Sequence, residues 1–517
     1  MSGQPAGSAI HAISVPDELV GPDSRKLPQV LHGVSLGFLF LFVIVQPASI
    51  AATHIAYTGA ALAWLARLVV VRRRGLYSSP LDLPILIYLG LSAVSAMLSP
   101  LPALSWEGMR KVALVCVVLV VAQNVITLAR ARQLVNVLLL SGLVTVAWTL
   151  WLYVGGVGLH VLQPGPDPAW YRAGLRKDDV ILRVDGRRLN TPQQFLAHLR
   201  AKPLTDSLQL AAVPVNVIEV SRNARPVVVP PGEWRPAGSI DQLGMSIDAA
   251  RPARAFGFYS HYVTYSMVLA LLASLVFGLW LSVRQRFSPQ GLILAGAFLL
   301  FTVALGMTLT RAAWLALALG CAVQVWFHIR HWAVRLLLPA ALVLAVLATN
   351  VAMHRWRGTG LIDLSDPGTD YRILMWTDGL RLMGEHPWFG VGMNSVRDAW
   401  WRFDLAAYRK YPLRSHFHST PIQLGVEMGI PVLLSWIAFM ASYWLMLVRL
   451  VARAREQSAC GGRAYGLALG ILGGTAGFLA SSLVHYDFGD SVVVFLFWFL
   501  TGIALAVRQH LARQPAG

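Results

Sequence analysis

The stretch Ser415-His416-Phe417-His418-Ser419-Thr420 runs into Ile422-Gln423-Leu424-Gly425-Val426-Glu427-Met428-Gly429, so imidazoles stand where an outward loop re-enters lipid. Imidazole is the side chain that titrates nearest neutral pH. A polar group beside hydrocarbon is costly, so a cluster of them needs a chemical purpose. In extended backbone His416 and His418 would share a face and could bind a metal. No further ligand cluster completes such a site, and no metal or other cofactor is assigned. Arg414 precedes the pair; Glu427 follows it, either orienting a histidine or satisfying backbone at the re-entry. Arg254, Arg311, Arg372 and the neighbours Arg110 and Lys111 stand at outward ends of apolar runs. An arginine there either snorkels to headgroups or offers an anion a persistent charge with forked donors.

The elements that must position these groups are set by composition. The chain has 517 residues, 56% of them hydrophobic and 13% charged, with a mean hydropathy of +0.57. That profile belongs to an all-α polytopic membrane protein rather than a soluble domain. The net charge of +18 falls in short clusters between apolar runs, which fits membrane orientation and contact with anionic lipids, not nucleic acid. Cys116, Cys321 and Cys460 have neither metal-ligand nor disulfide-framework spacing. The first thirty residues lack a cleavable secretory pattern, so the first span is expected to act as an uncleaved insertion signal with a cytoplasmic N-terminus.

Runs able to cross about 30 Å of hydrocarbon begin near Val30, Ile50, Leu83, Val112, Leu134, Phe258, Gly291, Ala312, Leu336, Pro421, Ala464 and Ser491, giving about twelve transmembrane helices. With the N-terminus inside, the basic clusters Arg72 to Arg74, Arg130 to Arg132, Arg284 to Arg286, His328 to Arg335, Arg449 to Arg455 and Arg508 to Arg513 are all cytoplasmic. The expected organisation is a cytoplasmic tail (1–29), helices 1–5 (30–155), an outer domain (156–250), helices 6–9 (251–353), a second outer loop (354–420), helices 10–12 (421–509) and a tail (510–517). Short outward connections near Pro100 to Lys111, Thr308 to Arg311 and His485 to Asp490 also carry charge.

Within 156–250 the apolar runs give way to short alternating strands. Val180 to Val184 followed by Asp185-Gly186 predicts a strand entering a tight turn, since Asp-Gly accepts positive φ. Thr191-Pro192 predicts a helix start with Thr191 as cap. The run Ala173 to Leu189 resembles the PDZ domains of bacterial envelope proteases, and Leu243 to Ile247 resembles their closing strand. The resemblance implies a small α+β insertion that takes an extended peptide or protein partner; the plainer reading is a spacer or lid.

The second loop holds nine Arg or Lys against seven Asp or Glu, with His354, His386, His416 and His418. Tyr371 to Met383, with Trp376, Leu380 and Met383 on one side and Asp370 as cap, predicts an interfacial amphipathic helix broken at Pro387. Arg254 to His261, Thr308 to Leu315, Tyr371-Arg372 with His386 to Gly392, and His418-Ser419 through Glu427 to Gly429 together resemble the O-antigen ligase and polymerase superfamily of bacterial envelopes. Ser419 stands where that family often has Asn, which leaves His416 as an alternative to His418, and the PDZ-like insertion is not general in the family.

The resemblance implies an inner-membrane enzyme with a periplasmic site that moves a glycan from undecaprenyl diphosphate to an acceptor hydroxyl of lipid A-core, metal-independently and with inversion. Catalysis would fall to His418 as general base with Arg254 and Arg311, and substrate binding to Arg372, His416, Arg414, Glu427, Arg110 and Lys111. An O-antigen or exopolysaccharide polymerase, with another glycan as acceptor, and a protein O-oligosaccharyltransferase share this donor chemistry. A lipid-linked glycan transporter would require internal repeats and broken helices meeting at the midplane, which the sequence lacks. A PDZ-bearing scaffold would need neither the arginines nor the histidines.

Overall fold

A computed structural model describes residues 22–71, 77–163, 168–214, 224–235, 237, 239, 242, 245–252, 254–259, 261–357, 360, 366–411, 415–457 and 462–513. The N-terminal part contains α1 (Pro22–Val45), α2 (Ile50–Val71), α3 (Asp82–Leu98), α4 (Pro102–Val112), α5 (Val117–Asn124) and α6 (Leu128–Gly155). An insertion follows with β1 (Gly158–Gln163), α7 (Pro168–Arg172), β2 (Asp179–Val184), α8 (Pro192–Ala201), β3 (Leu208–Pro214), β4 (Arg225–Val229) and β5 (Ser246–Ala250). Helices resume with α9 (Tyr262–Leu281), α10 (Pro289–Met307), α11 (Arg311–His328) and α12 (Trp332–Arg357). The remainder comprises α13 (Pro367–Glu385), α14 (Ser395–Asp398), α15 (Ala406–Lys410), α16 (Thr420–Met428), α17 (Ile430–Gln457), α18 (Arg463–Ser482) and α19 (Ser491–Arg513).

Among the described residues nine helices are long and apolar enough to cross a membrane: α1, α2, α6, α9, α10, α12, α17, α18 and α19. The chain is a multi-pass membrane protein. The runs expected from Leu83, Val112 and Ala312 do not reach that standard. α3 has 17 residues, the Val112 run is broken by a 3-10 turn at Ala113–Cys116, and α11 carries Arg311, Gln324 and His328 within its 18 residues. α1 begins at Pro22, so the expected tail boundary at 29 falls inside a helix; proline is tolerated in a first helical turn because its missing N–H is not needed there. The run expected from Pro421 splits at Gly429, whose φ of 88° ends α16 before α17 starts.

α18 and α19 are buried along most of their length and, with α9, form the bundle's centre. Small residues allow this proximity. Gly470 lies against the Leu275 backbone, where an added Cβ would stand 2.7 Å from the carbonyl oxygen, and Gly477 meets the Ala316 carbonyl of α11. Lipid gives no hydrophobic drive for helices to associate, so close backbone packing and polar contacts take its place. Gln324 supplies such a contact: its Nε2 donates to Ser274 Oγ at 2.8 Å.

The insertion folds as an antiparallel sheet of order β4-β3-β2-β1-β5. Asp185 and Gly186 take φ of 48° and 79° in the turn after β2. Thr191 caps α8 in a reciprocal capping box with Gln194. Phe195 and Leu199 of α8 join Trp170, Ile181 and Trp234 in a core separate from that of the bundle. Leu243 and Gly244 lie outside the described residues; β5 runs over Ser246–Ala250 and pairs with β1.

Candidate active site

α13 is the helix expected near Tyr371, but Asp366 caps it: its side chain accepts from Thr369 N–H, and Pro367 occupies the first position. Asp370 instead lies within the first turn and binds Lys410 at 2.8 Å. The buried face carries Tyr371, Met375 and Leu382, while Leu380 is exposed. The helix therefore turns its core face one position away from the predicted stripe.

The loop after α13 clasps the end of α16. Ile430 N–H donates to Pro387 O at 2.7 Å, Val391 N–H to Val426 O at 2.9 Å, and Gly392 N–H to Glu427 O at 3.0 Å. The last two bonds satisfy carbonyls that a helix C-terminus leaves unpaired. Gly390 (φ 66°) and Gly429 (φ 88°) permit the contact; an added Cβ at Gly390 would stand 2.5 Å from Val426 O. The N-terminus of α16 is held from the other side, where Thr420 N–H and its hydroxyl donate to His485 O, each at 3.1 Å.

Between these supports lies a cavity of about 580 Å³ that opens near the starts of α9, α13 and α19. His416 and His418 face it, their ring centroids 4.3 Å apart. The backbone is not extended as expected: His418 has φ of 50°, a left-handed conformation a bulky residue rarely adopts. Its N–H donates to His416 Nδ1 at 3.1 Å. That contact places the proton of neutral His416 on Nε2. The His418 ring meets the Tyr371 ring edge-on at 5.7 Å.

Lys111 and Arg372 line the same cavity. Among the described residues Lys111 has no ion pair, and Arg372 Nε is buried without a hydrogen-bond partner. Arg397 also lines the cavity but is tied to Asp398 by bonds of 2.7 and 2.8 Å. Burial, reinforced by Lys111 and Arg397, pushes His416 down to about 4. Burial, then His416 and Arg372, holds His418 well below the ordinary histidine value. Burial and Arg372 push His485 down to about 3. All these rings are neutral near pH 7. Burial has the opposite effect on the carboxyls, lifting Glu427 and Asp487 to about 7.

The structure divides the predicted site residues. His416, His418, Arg372, Glu427 and Lys111 come together. Arg254 and Arg311 stand behind them: Arg254 lies 4.3 Å over the ring of Tyr262, a cavity residue. Arg311 donates to Gly360 O and opposes the charge of Arg372. Arg110 faces elsewhere, exposed and paired with Glu107 at 2.5 Å. Arg414 lies outside the described residues. Sequence reasoning did not assign His261 or His485, though the charged outward segments containing them were visible. His261 caps α9 through its Nδ1, and Asp490 is occupied in capping α19 and accepting from Thr264.

Residues 296–437 match the family model described as O-Antigen ligase. This match, over about a quarter of the chain, supports the O-antigen ligase superfamily. The matched segment runs from α10 into α17 and contains Arg311, Arg372, His416, His418 and Glu427. Members of this superfamily are glycosyltransferase-like enzymes of O-antigen ligase or polymerase type, with lipid-linked glycan and glycan acceptor substrates. None of the curated proteins compared with the chain matches it.

Proposed function

We propose that this protein is an O-antigen ligase that transfers a glycan from undecaprenyl diphosphate to a lipid A-core hydroxyl on the periplasmic face of the inner membrane. The observation that carries the reading is one cavity shared by the His416–His418 pair and the cations Lys111 and Arg372, which form no ion pair among the described residues. The acceptor oxygen attacks the anomeric carbon of the donor sugar. The bond from that carbon to the diphosphate oxygen breaks, and its electron pair leaves with the carrier diphosphate. Attack from the face opposite the leaving group inverts the anomeric centre. The hydroxyl proton passes to His418, a step of the kind that contributes roughly 10²–10⁴ in rate.

A diphosphate is a weak base, so its departure needs neutralisation more than protonation. Lys111 and Arg372 supply that charge, with Arg311 and Arg254 behind them reinforcing the field. Burial, and Arg372 among these cations, hold His418 well below the ordinary histidine value. A bound diphosphate offsets the charge of Arg372, raises the imidazole pKa and strengthens the base when the donor is in place. The chemistry uses these side chains alone and no metal. The insertion serves as a lid or as a peptide-binding module over the site.

The test is glycan transfer by the purified full-length protein, given undecaprenyl diphosphate-linked O-antigen and lipid A-core with and without a chelator. A chelator-resistant glycan ladder on lipid A-core, lost in His418→Ala at unchanged protein yield, is expected. Elongation of the carrier-linked glycan instead would make the protein a polymerase. Transfer undiminished in His418→Ala would remove His418 from the base role.

A further inference from the structure

A second charged cavity lies at the other end of the bundle. Arg449 of α17 is 19 residues beyond Ile430, or about 28 Å along a helix, so this cavity is about a hydrocarbon thickness away from the His416–His418 site. Its volume is about 370 Å³, and Arg449, Arg453 and Arg508 line it together with Pro80, Leu445 and Leu450. Two of the arginines are held in place: Arg508 donates to the Tyr77 hydroxyl at 2.7 Å and Arg453 to Leu511 O at 3.4 Å. Arg449 has no hydrogen bond or ion pair among the described residues. The neighbouring acid Asp82 turns its carboxylate to the backbone N–H and hydroxyl of Ser79, at 2.7 and 2.6 Å.

Arg449 and Arg453 are one turn apart on α17, an arrangement in which like charges repel. Three guanidinium groups gathered without a carboxylate partner among the described residues form a receptor for an anion. The shape beyond the cavity indicates which kind. From Leu445 the exposed face of α17 continues through Ala441, Ala438 and Ile437 to Leu434, an unbroken apolar stripe. The twelve residues from Leu434 to Leu445 span about 16 Å of helix, roughly half the hydrocarbon thickness and so about the length of one acyl chain. A free phosphate would use the arginines and leave the stripe unexplained.

We infer that this cavity binds an anionic phospholipid. Its phosphate sits among Arg449, Arg453 and Arg508 at the end of the bundle opposite the His416–His418 cavity, and its acyl chains run along α17 from Leu445 toward Leu434. The site is separate from the transfer chemistry, and its assignment does not depend on which acceptor the enzyme uses. Basic pockets between spans are suited to such headgroups because the phosphate is drawn in by charge while the chains remain in hydrocarbon.

The experiment is native mass spectrometry of the delipidated full-length protein in neutral detergent, titrated with phosphatidylglycerol or phosphatidylcholine. One retained phosphatidylglycerol, bound at least about tenfold more tightly than phosphatidylcholine, is expected. The Arg449→Gln/Arg508→Gln variant should lose at least about tenfold, while Arg130→Gln, an exposed cation paired with Gln133, should lose nothing. Where the double variant does not fold, Arg449→Gln alone tests the same contact, because that side chain makes no hydrogen bond or ion pair among the described residues. Equal retention of the two lipids, full retention by the arginine variant, or equal loss in Arg130→Gln would each overturn the site. Displacement of phosphatidylglycerol by millimolar inorganic phosphate would show a soluble-anion site and overturn the lipid assignment.

Discussion

His418, the proposed general base, takes its chemistry from its surroundings. Its ring is neutral because burial and neighbouring cations oppose protonation, and a general base must be neutral to accept a proton. Activity that depends on it is therefore lost only as pH falls through the folded-state pKa, far below the ordinary value of 6.5. In kcat/KM, which reports the free enzyme, the acid limb is expected at or below about pH 4. In Arg372→Gln the residual activity should show that limb moved upward, because removing a nearby positive charge raises an imidazole pKa. A limb near pH 7 that disappears in Glu427→Gln would transfer the base role to Glu427, whose carboxyl burial lifts to about 7.

Among the elements, the loop Pro387 to Gly392 and the short helix α16 form a mutual clasp whose strength lies in backbone hydrogen bonds. Its glycines are the sensitive positions. Gly429 takes a φ of 88° against the Trp388 carbonyl, and an alanine there is strained by both its conformation and the contact. Replacing a positive-φ glycine costs more than the roughly 0.4–1 kcal/mol that such a change yields at a compatible site. Gly429→Ala is expected to lower the thermal midpoint by several degrees. It should also reduce transfer by at least about tenfold, with every charged side chain retained. Full activity at a lowered midpoint would show that the clasp stabilises the fold without positioning the histidines. The clasp also explains why α13 turns Met375 and Leu382 inward: these residues share a core with Val391, Phe417 and Val426.

For the whole molecule, the disposition of charge bears on orientation. The cavity containing His418 and the arginine-lined cavity at Arg449 lie toward opposite ends of α17. Clusters of Arg and Lys favour the cytoplasmic side, which supports the proposed outer face for the His418 cavity. In a background lacking Cys116, Cys321 and Cys460, Ser207→Cys in the insertion should react with an impermeant maleimide in intact cells. Glu456→Cys, near the end of α17, should react only after permeabilisation. The reverse pattern would invert the topology and defeat a periplasmic active site.

Much of this protein was legible in its residues because hydrocarbon imposes simple demands. Long apolar runs must become helices that pair their own backbone groups, so the multi-pass class followed from composition. The Asp185-Gly186 turn and the Thr191 cap followed from local chemistry that needs no distant partner. The histidine pair, Arg372 and Lys111 could be nominated from type and position. Their convergence could not, because Lys111 and His418 are far apart in sequence and meet only where α4, α13 and α16 pack together. The same limit hid the local departures. Asp366 displaced Asp370 as a cap because Pro367 suits the first helical position, and Gly429 divided an apparent span because the Trp388 loop docks against it. Tertiary packing alone separated Arg110, paired with Glu107 at the surface, from its neighbour Lys111 in the cavity. On a helix adjacent side chains point about 100° apart, so the sequence determined that basic residues would gather at this boundary, and only the fold decided which of them reached the site.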